Sequence, residues 1–156
     1  MGTLESTLGR RADQIMTREP ACLTPDMSIR AMARALEAHE VSGFPVVDQT
    51  GVLVGIVTKT DLIRRCLEPM SDEAPGFFFQ EMAEQLGEDV ELEPEAEVRV
   101  EDIMTTEVVT ASPDETLSRI ARRMADARVH RVVVIDEDHQ PVGIITSMDV
   151  LKAIAY

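Results

Sequence analysis

Two Thr-x-x-Asp tetrads, Thr58 to Asp61 and Thr146 to Asp149, carry the side chains best suited to ligand chemistry in this sequence. Each stands where an apolar, strand-like run gives way to a helical pattern. A Thr followed three residues later by an acid is a helix capping box, and capping alone explains both tetrads. The same helix start also offers N–H groups to a phosphate, while the carboxylate can accept hydrogen bonds from ribose hydroxyls. The spacing leaves both interpretations open.

A second candidate is the pair His130-Arg131, which directly precedes the apolar run Val132 to Ile135. Neighbouring residues of a strand point to opposite faces, so both side chains serve one surface only if a cleft wraps around the start of the strand. The alternative is a solvent-facing arginine beside a histidine at the sheet edge. The sequence alone does not choose between these two arrangements.

Motifs of catalysis and metal binding do not occur in the sequence. It has no phosphate-binding loop, nucleophile elbow, dinucleotide-binding turn or zinc-protease helix, so we expect no enzymatic activity. Its two cysteines, Cys22 and Cys66, form no Cys-x-x-Cys motif, and its three histidines lie at no metal-ligand spacing from them. We therefore expect neither a bound metal nor a disulfide.

Charge and hydropathy exclude other classes of partner. The 156 residues carry a formal charge of -14, which argues against a nucleic-acid partner because phosphate binding needs a surplus of Lys and Arg. The segment from Leu67 to Glu101 holds 12 acids and one base, so the acidity belongs mainly to this part of the chain. No spanning apolar run and no secretory signal are present, which predicts a cytoplasmic protein that does not associate with membranes.

The chain is an internal duplication. At a shift of 88 residues its two halves match without a gap, and about sixteen of about fifty positions are identical. Ile15-Met16-Thr17 returns as Ile103-Met104-Thr105, and Val54-Gly55-Ile56 returns as Val142-Gly143-Ile144. Composition alone predicts far fewer identities.

Each copy predicts the order strand, helix, strand, strand, helix over about fifty-five residues. The sequences Thr-Pro-Asp at 24–26 and Ser-Pro-Asp at 112–114 predict the cap and first turn of the first helix. Apolar residues then recur at helical spacing: Ile29, Met32, Ala33 and Leu36 in the first copy, and Leu117, Ile120, Met124 and Ala127 in the second. Units of this size bury little core alone, so we expect the copies to pack together.

The repeated pattern Asp/Glu-x-Ile-Met-Thr, Pro-Asp, Val-Val/Ile-Asp and Gly-Ile-x-Thr-x-x-Asp resembles the CBS domain, and two copies resemble the tandem Bateman module. The resemblance covers residues 12–66 and 100–154, with 67–99 as an acidic inserted linker. It implies an α/β (α+β) fold of two β-α-β-β-α repeats packed about a pseudo-two-fold axis. It also implies two clefts that commonly take adenosine-containing ligands, and a homodimer formed through helices.

The resemblance also assigns roles to the two tetrads. In similar proteins the Thr faces the phosphates and the Asp holds the ribose. His130-Arg131 resembles a pair in the AMP-kinase gamma subunit that contacts nucleotide phosphates, whereas the first copy has Ser42-Gly43 at the matching positions. We therefore expect two unequal clefts, of which the one served by Arg131 and the second tetrad is better supplied for phosphate.

An adenine ring needs a flat apolar slot with backbone groups that read its edge. By family position the candidate residues flank the first helix of each copy, and core packing is the alternative for each of them. They are Ala21, Cys22, Val109 and Thr110, with Phe44, Pro45, Val132 and Val133 opposite.

The middle segment differs from a plain linker. From Phe77 to Leu86 apolar residues recur at 78, 82 and 86, which predicts one helical stripe. Such a helix docks either on the protein's own core or on a partner protein or second copy.

These observations together predict a regulatory module that senses AMP, ADP or ATP, requires no cofactor, and acts on a partner protein or through its own dimer. A ligand-free interaction protein and a regulator that binds S-adenosylmethionine are the alternatives. Arg131 distinguishes them, because a sulfonium ligand gains nothing from a nearby cation.

Overall fold

The computed structural model of the protein describes residues 3–67 and 98–156. The helix predicted at 77–86 and most of the acidic linker lie outside the described residues. The described elements of the first half are α1 (Leu4–Leu8), α2 (Ala12–Ile15), β1 (Thr17–Arg18), α3 (Ile29–His39), β2 (Gly43–Val47), β3 (Leu53–Thr58) and α4 (Lys59–Cys66). Those of the second half are α5 (Val100–Ile103), β4 (Thr110–Ala111), α6 (Leu117–Ala127), β5 (Arg131–Ile135), β6 (Pro141–Thr146) and α7 (Ser147–Ala155).

The first long helix of each repeat begins later than the sequence predicted. Helix α3 is capped by Ser28, whose side chain accepts a hydrogen bond from the Ala31 amide, and α6 is capped by Thr116 in the same way. The Pro-Asp pairs lie in turns before these caps, so the prediction that they open the helices was wrong. Ser28 is held extended because it bridges to Arg99, and Ile29 donates to the Val98 carbonyl.

Both repeats have the same hairpin. Strands β2 and β3 are antiparallel with Gly43 opposite Thr58, and β5 and β6 are antiparallel with Arg131 opposite Thr146. The register shifts at equivalent places, after Val46 and after Val134. The predicted hairpin strands and the predicted α+β repeat are therefore confirmed. The strand predicted before the long helix forms in the second repeat, as β4, but in the first repeat it is reduced to an isolated bridge between Leu23 and Val46.

The repeats exchange their N-terminal arms. Strand β1 lies near the start of the first repeat but pairs with β6 of the second, through Thr17 opposite Ile144. In the equivalent place Thr105, near the start of the second repeat, bridges to Ile56 of the first. The amide of Val100 also donates to the Met27 carbonyl at 2.8 Å. Each repeat is thus completed by a segment of the other, which holds the two together.

Two hydrophobic cores follow from this exchange. Ala12 is fully buried against the second repeat, in a cluster with Ile120, Val132, Val134, Ile145, Ala111 and Met124. Val100 is fully buried against the first repeat, in a cluster with Leu23, Met32, Leu36, Phe44, Val46 and Val57. Burial of the predicted helical positions 29, 32, 36, 117, 120 and 124 is confirmed. Ala33 is only half-buried and Ala127 is exposed, because both lie at the margins of the buried helix faces.

Candidate functional site

The first tetrad forms a complete capping box at the start of α4. The Thr58 amide and hydroxyl both approach Asp61 Oδ2, at 2.8 and 3.0 Å, and the Asp61 amide donates to the Thr58 hydroxyl at 3.3 Å. The cap therefore engages a single carboxylate oxygen. The other, Oδ1, lies 4.0 Å from Arg64 Nη1, and the Asp61 side chain is 12% exposed.

The second tetrad repeats this geometry at the start of α7. The Thr146 amide and hydroxyl lie 2.8 and 3.0 Å from Asp149 Oδ2, and the Asp149 amide donates to the hydroxyl at 3.3 Å. Capping and ligand binding are compatible, because the cap leaves one oxygen of each carboxylate for another donor. Each threonine hydroxyl, however, donates its one hydrogen to the aspartate, so it has none for a phosphate while the cap is intact.

Arg131 reaches across from the second repeat to the first. Its Nη2 donates a short hydrogen bond to the Ser42 hydroxyl. Its Nη1 lies only 3.1 Å from the position that a Cβ on Gly43 would take. Strand alternation explains the direction, because Val132 and Val134 point into the core and Arg131 must point to the opposite face.

The electrostatic environment of Arg131 agrees with this position. Partial burial lowers the pKa of the guanidinium, and the negative charge of Asp61 opposes that lowering. Arginine stays protonated at neutral pH in any case. The result is a half-buried cation of the second repeat that contacts Ser42 and lies against Gly43, whose strand partner Thr58 shares a capping box with Asp61.

This arrangement differs from the grouping expected from the sequence. Arg131 was assigned to the cleft of Thr146 and Asp149, and its backbone does lie opposite Thr146 in the sheet. Its side chain instead contacts Ser42 and lies against Gly43 of the first repeat, where it feels the charge of Asp61. The sequence pattern assigned no role to Ser42. In the duplication Ser42 aligns with His130, and the neighbouring Gly43 aligns with Arg131. This alignment is the feature of the sequence that could have indicated a role for Ser42.

Among the described contacts, none joins the His130 side chain to Ser42, Asp61 or Arg131. Its side chain is exposed, and its carbonyl accepts hydrogen bonds from the Ser147 amide at 2.8 Å and hydroxyl at 3.2 Å. In the first repeat the Ser42 carbonyl accepts from the Lys59 amide at 2.8 Å. The two positions therefore fix the starts of α7 and α4 through their backbone.

The predicted adenine-slot residues fall into separate environments. Phe44 and Val132 belong to the two cores. Pro45 and Val133 are buried too. Strand alternation puts Pro45 on the same face of its strand as Gly43, and Val133 on the same face of its strand as Arg131.

The remaining candidates lie in the segment before the long helix of each repeat. Ala21 is exposed, whereas Cys22 is half-buried and its Sγ lies 3.3 Å from the Pro20 carbonyl oxygen. Burial raises the pKa of the Cys22 thiol, which keeps it protonated and unreactive. Val109 and Thr110 line a separate cleft.

That cleft, of about 980 Å³, is lined by residues of the second repeat together with Asp13. The side chain of Arg123 crosses it, donating to the Thr110 carbonyl at 2.6 Å and pairing with Glu115 at 2.8 Å. In the part of the chain that the structure describes, five acidic residues line the cleft, against one basic residue: Asp13, Asp114, Glu115, Asp136 and Glu137. Its one arginine is thus already neutralised, and the cleft is unsuited to a phosphate.

Comparison with known proteins identifies the family. The family model described as "CBS domain" matches residues 12–68 and 100–156, well over half of the chain. The protein therefore belongs to the CBS-domain family, and its two repeats form a CBS pair.

Individual relatives show the same module in different settings. The chain is 26% identical over 94% of its length to inosine-5'-monophosphate dehydrogenase of Methanocaldococcus jannaschii, but it spans only 24% of that enzyme. The CBS pair of protein MJ0100, solved with 5'-methylthioadenosine and S-adenosyl-L-methionine, is 26% identical with a TM-score of 0.70, and covers 94% of this chain and 96% of that one. CBSX2, solved with AMP, shares the fold at 24% identity and a TM-score of 0.70, over 94% and 97% of the two chains.

Within the described residues, no helix combines the length and the apolar character needed to cross a membrane.

Proposed function

We propose that this CBS pair is a regulatory module that binds an adenosine nucleotide between the two repeats, at Ser42, Asp61 and Arg131. The observation that carries the proposal is the half-buried Arg131 guanidinium of the second repeat, which bonds Ser42 and lies against Gly43, next to the capping box of Thr58 and Asp61 in the first. A carboxylate accepts hydrogen bonds from ribose hydroxyls, and a guanidinium binds phosphate oxygens with fixed geometry. The two together fit a ribose 5'-phosphate.

Binding at this place gives a physical route to regulation. Asp61 lies in the first turn of a helix of the first repeat, whereas Arg131 begins a strand of the second. A ligand that binds both changes the balance of contacts between the repeats. Since a ligand shifts an equilibrium only through its differential affinity for two states, the responsive state is one in which the Ser42 to Arg131 hydrogen bond is broken or moved.

The experiment is a thermal-shift and calorimetric titration of the protein with adenosine, AMP, ADP, ATP and S-adenosylmethionine. A ligand that binds the native state raises its stability by RT ln(1 + [L]/Kd). We expect AMP, ADP or ATP to bind more tightly than adenosine, and Arg131→Ala to remove that difference. Arg128→Ala, which removes an exposed arginine three residues away, is the matched control. Equal affinity for adenosine and AMP in the unaltered protein would contradict the proposal.

The second candidate ligand is S-adenosylmethionine or a related thioadenosine. The favouring observation is the 26% identical CBS pair of MJ0100, solved with 5'-methylthioadenosine and S-adenosyl-L-methionine. These ligands carry adenosine but no phosphate, so Asp61 serves them and Arg131 does not. In the same titration, this candidate predicts that Arg131→Ala leaves the affinity for S-adenosylmethionine unchanged or raises it.

We also propose that the module is a homodimer. Helices α4 and α7 expose apolar side chains at equivalent positions, Ile63 and Leu151, each 58% exposed. Leu67, Met148 and Ile154 extend the same two helices with further exposed apolar side chains. Because the two helices are equivalent elements of a duplicated unit, their apolar surfaces suit a self-complementary two-fold contact.

Light scattering over a dilution series tests the dimer. We expect twice the mass of the chain at micromolar concentration, and the mass of one chain for Ile63→Lys combined with Leu151→Lys. Leu4→Lys changes an equally exposed residue outside these helices and serves as control. A single-chain mass in the unaltered protein would remove the dimer from the proposal.

The proposal assigns no catalytic activity and no required cofactor to the chain, and it places the module in the cytoplasm. Its output passes through the dimer or to a partner protein. A protein that interacts without any ligand remains the competing function, and a failure of every nucleotide and thioadenosine to raise the melting temperature would favour it.

A further inference from the structure

Gly43 occupies a position where no side chain fits. A Cβ there would lie 2.9 Å from the Val57 carbonyl oxygen, 3.1 Å from Thr58 Cγ2 and 3.1 Å from Arg131 Nη1. Two of these neighbours, Val57 and Thr58, belong to the first repeat's own hairpin. The third is the guanidinium of the other repeat, which occupies the space that a longer side chain would need.

Positions 43 and 131 are equivalent in the duplication, since each opposes the tetrad threonine of its own hairpin, Thr58 or Thr146. In a symmetric pair, two side chains would meet here and each would reach toward the opposite repeat. Only one does so in this protein. Arg131 brings a positive charge to Ser42 and Gly43 of the first repeat, where it interacts with the charge of Asp61, whereas Gly43 has no side chain to bring a charge toward Asp149.

We infer that Gly43 is the specificity-determining position of this module, because it admits Arg131 to the Asp61 cleft and so restricts the chain to one phosphate-bearing nucleotide. The Asp149 cleft, which receives no cation from position 43, takes an uncharged adenosine at most. This inference rests on the proposed function and adds to it the number of anionic ligands and their location. It reverses the expectation that the second tetrad serves the phosphate-bearing ligand.

The carboxylates of Asp61 and Asp149 differ in the positive charge that accompanies them. A nucleotide phosphate near an unaccompanied aspartate is repelled, and the cost grows with each added phosphate. Beside Asp61 the guanidinium offsets this repulsion and donates charge-assisted hydrogen bonds. The hydrogen bond that Arg131 donates to the Ser42 hydroxyl holds the guanidinium on this side, so it does not serve both clefts at once.

Calorimetric titration with AMP, and separately with adenosine, tests the inference in the unaltered protein. We expect one AMP per chain. Asp61→Asn is expected to weaken AMP binding about tenfold or more, while Asp149→Asn leaves AMP affinity and stoichiometry unchanged. Two equivalent AMP molecules per chain, or a loss caused by Asp149→Asn alone, would overturn the inference.

A double-mutant cycle tests the role of Gly43 itself. Gly43→Ala is expected to weaken AMP binding about tenfold, because the added Cβ displaces Arg131, and to change adenosine binding little. In an Arg131→Ala background the same substitution should have no further effect on AMP. An equal loss in both backgrounds would show that Gly43 acts only through its own hairpin. If Gly43→Ala does not fold, the number of AMP molecules bound per chain and the AMP affinities of Asp61→Asn and Asp149→Asn still test the inference.

The two proposals fail in different ways. If no adenosine ligand binds the unaltered protein, the proposed function is wrong. If AMP binds but does so twice per chain, the proposed function stands and the inference about Gly43 is wrong.

Discussion

Met16 packs directly over Gly143, in the other repeat. A Cβ on Gly143 would lie 2.7 Å from Met16 Cγ and 3.0 Å from Met16 Cβ. The equivalent pair is Met104 over Gly55, where a Cβ would lie 2.7 Å from the Met104 sulfur. The Ile-Met-Thr and Val-Gly-Ile motifs are thus partners across the repeats: each glycine recurs because the methionine of the exchanged arm lies against it.

Gly143→Ala is expected to destabilise the protein by about 1 to 3 kcal/mol, because the methionine must shift within a packed sheet. The cost should shrink in a Met16→Ala background, since most of the clashing atoms are then absent. Chemical denaturation of the four proteins in this cycle measures the coupling. An equal cost in both backgrounds would mean that the glycine is needed for its backbone rather than for the methionine.

Val100→Ala tests the arm exchange from the other side. Val100 is fully buried in the core of the first repeat, although it belongs to the start of the second. Loss of its side chain should cost about 1.5 to 3 kcal/mol. Hydrogen exchange should show the loosening in α3 and β2, which belong to the first repeat. Loosening confined to the second repeat would contradict the exchange. Glu101→Ala, at an exposed neighbouring position, is the control.

Thr146→Ala removes one helix cap without touching the Asp61 cleft. We expect a loss of about 1 kcal/mol in unfolding free energy and an unchanged affinity for AMP. Thr58→Ala removes the matching cap, with the same hydrogen bonds. It therefore also removes the hydroxyl that helps to position the Asp61 carboxylate. Its effect on stability should be similar, and its effect on AMP affinity larger. Equal affinities in the two variants, measured by calorimetry, would contradict the assignment of the ligand to the first tetrad.

His139→Gly is expected to stabilise the protein by about 0.5 to 1 kcal/mol. His139 has a φ of 58°, in the left-handed region, while Gly51 has the equivalent position in the first hairpin with a φ of 85°. Glycine adopts this conformation without steric strain, and its greater freedom in the unfolded chain offsets part of the gain. Thermal unfolding measures the change. The reverse substitution, Gly51→His, should destabilise the protein. A destabilised His139→Gly or a stabilised Gly51→His would contradict the explanation.

The helices and strands were predictable where their determinants are local. The spacing of Ile29, Met32 and Leu36 identifies the buried face of α3, and both capping boxes follow from a four-residue pattern. The start of α3 was not predictable in this way. Ser28 caps it because a distant segment, at Val98 and Arg99, holds the preceding residues extended.

The sequence by itself determined the duplication, the family and the residue types of the candidate site, because repeats, periodicity and caps are encoded within short stretches of chain. Only the tertiary structure decided which repeat each arm completes and which aspartate Arg131 accompanies. A guanidinium at the end of a long side chain can reach either side of a pseudo-two-fold axis. The missing Cβ of Gly43 and the hydroxyl of Ser42, 88 and 89 residues away along the sequence, fix it on the side of the first repeat.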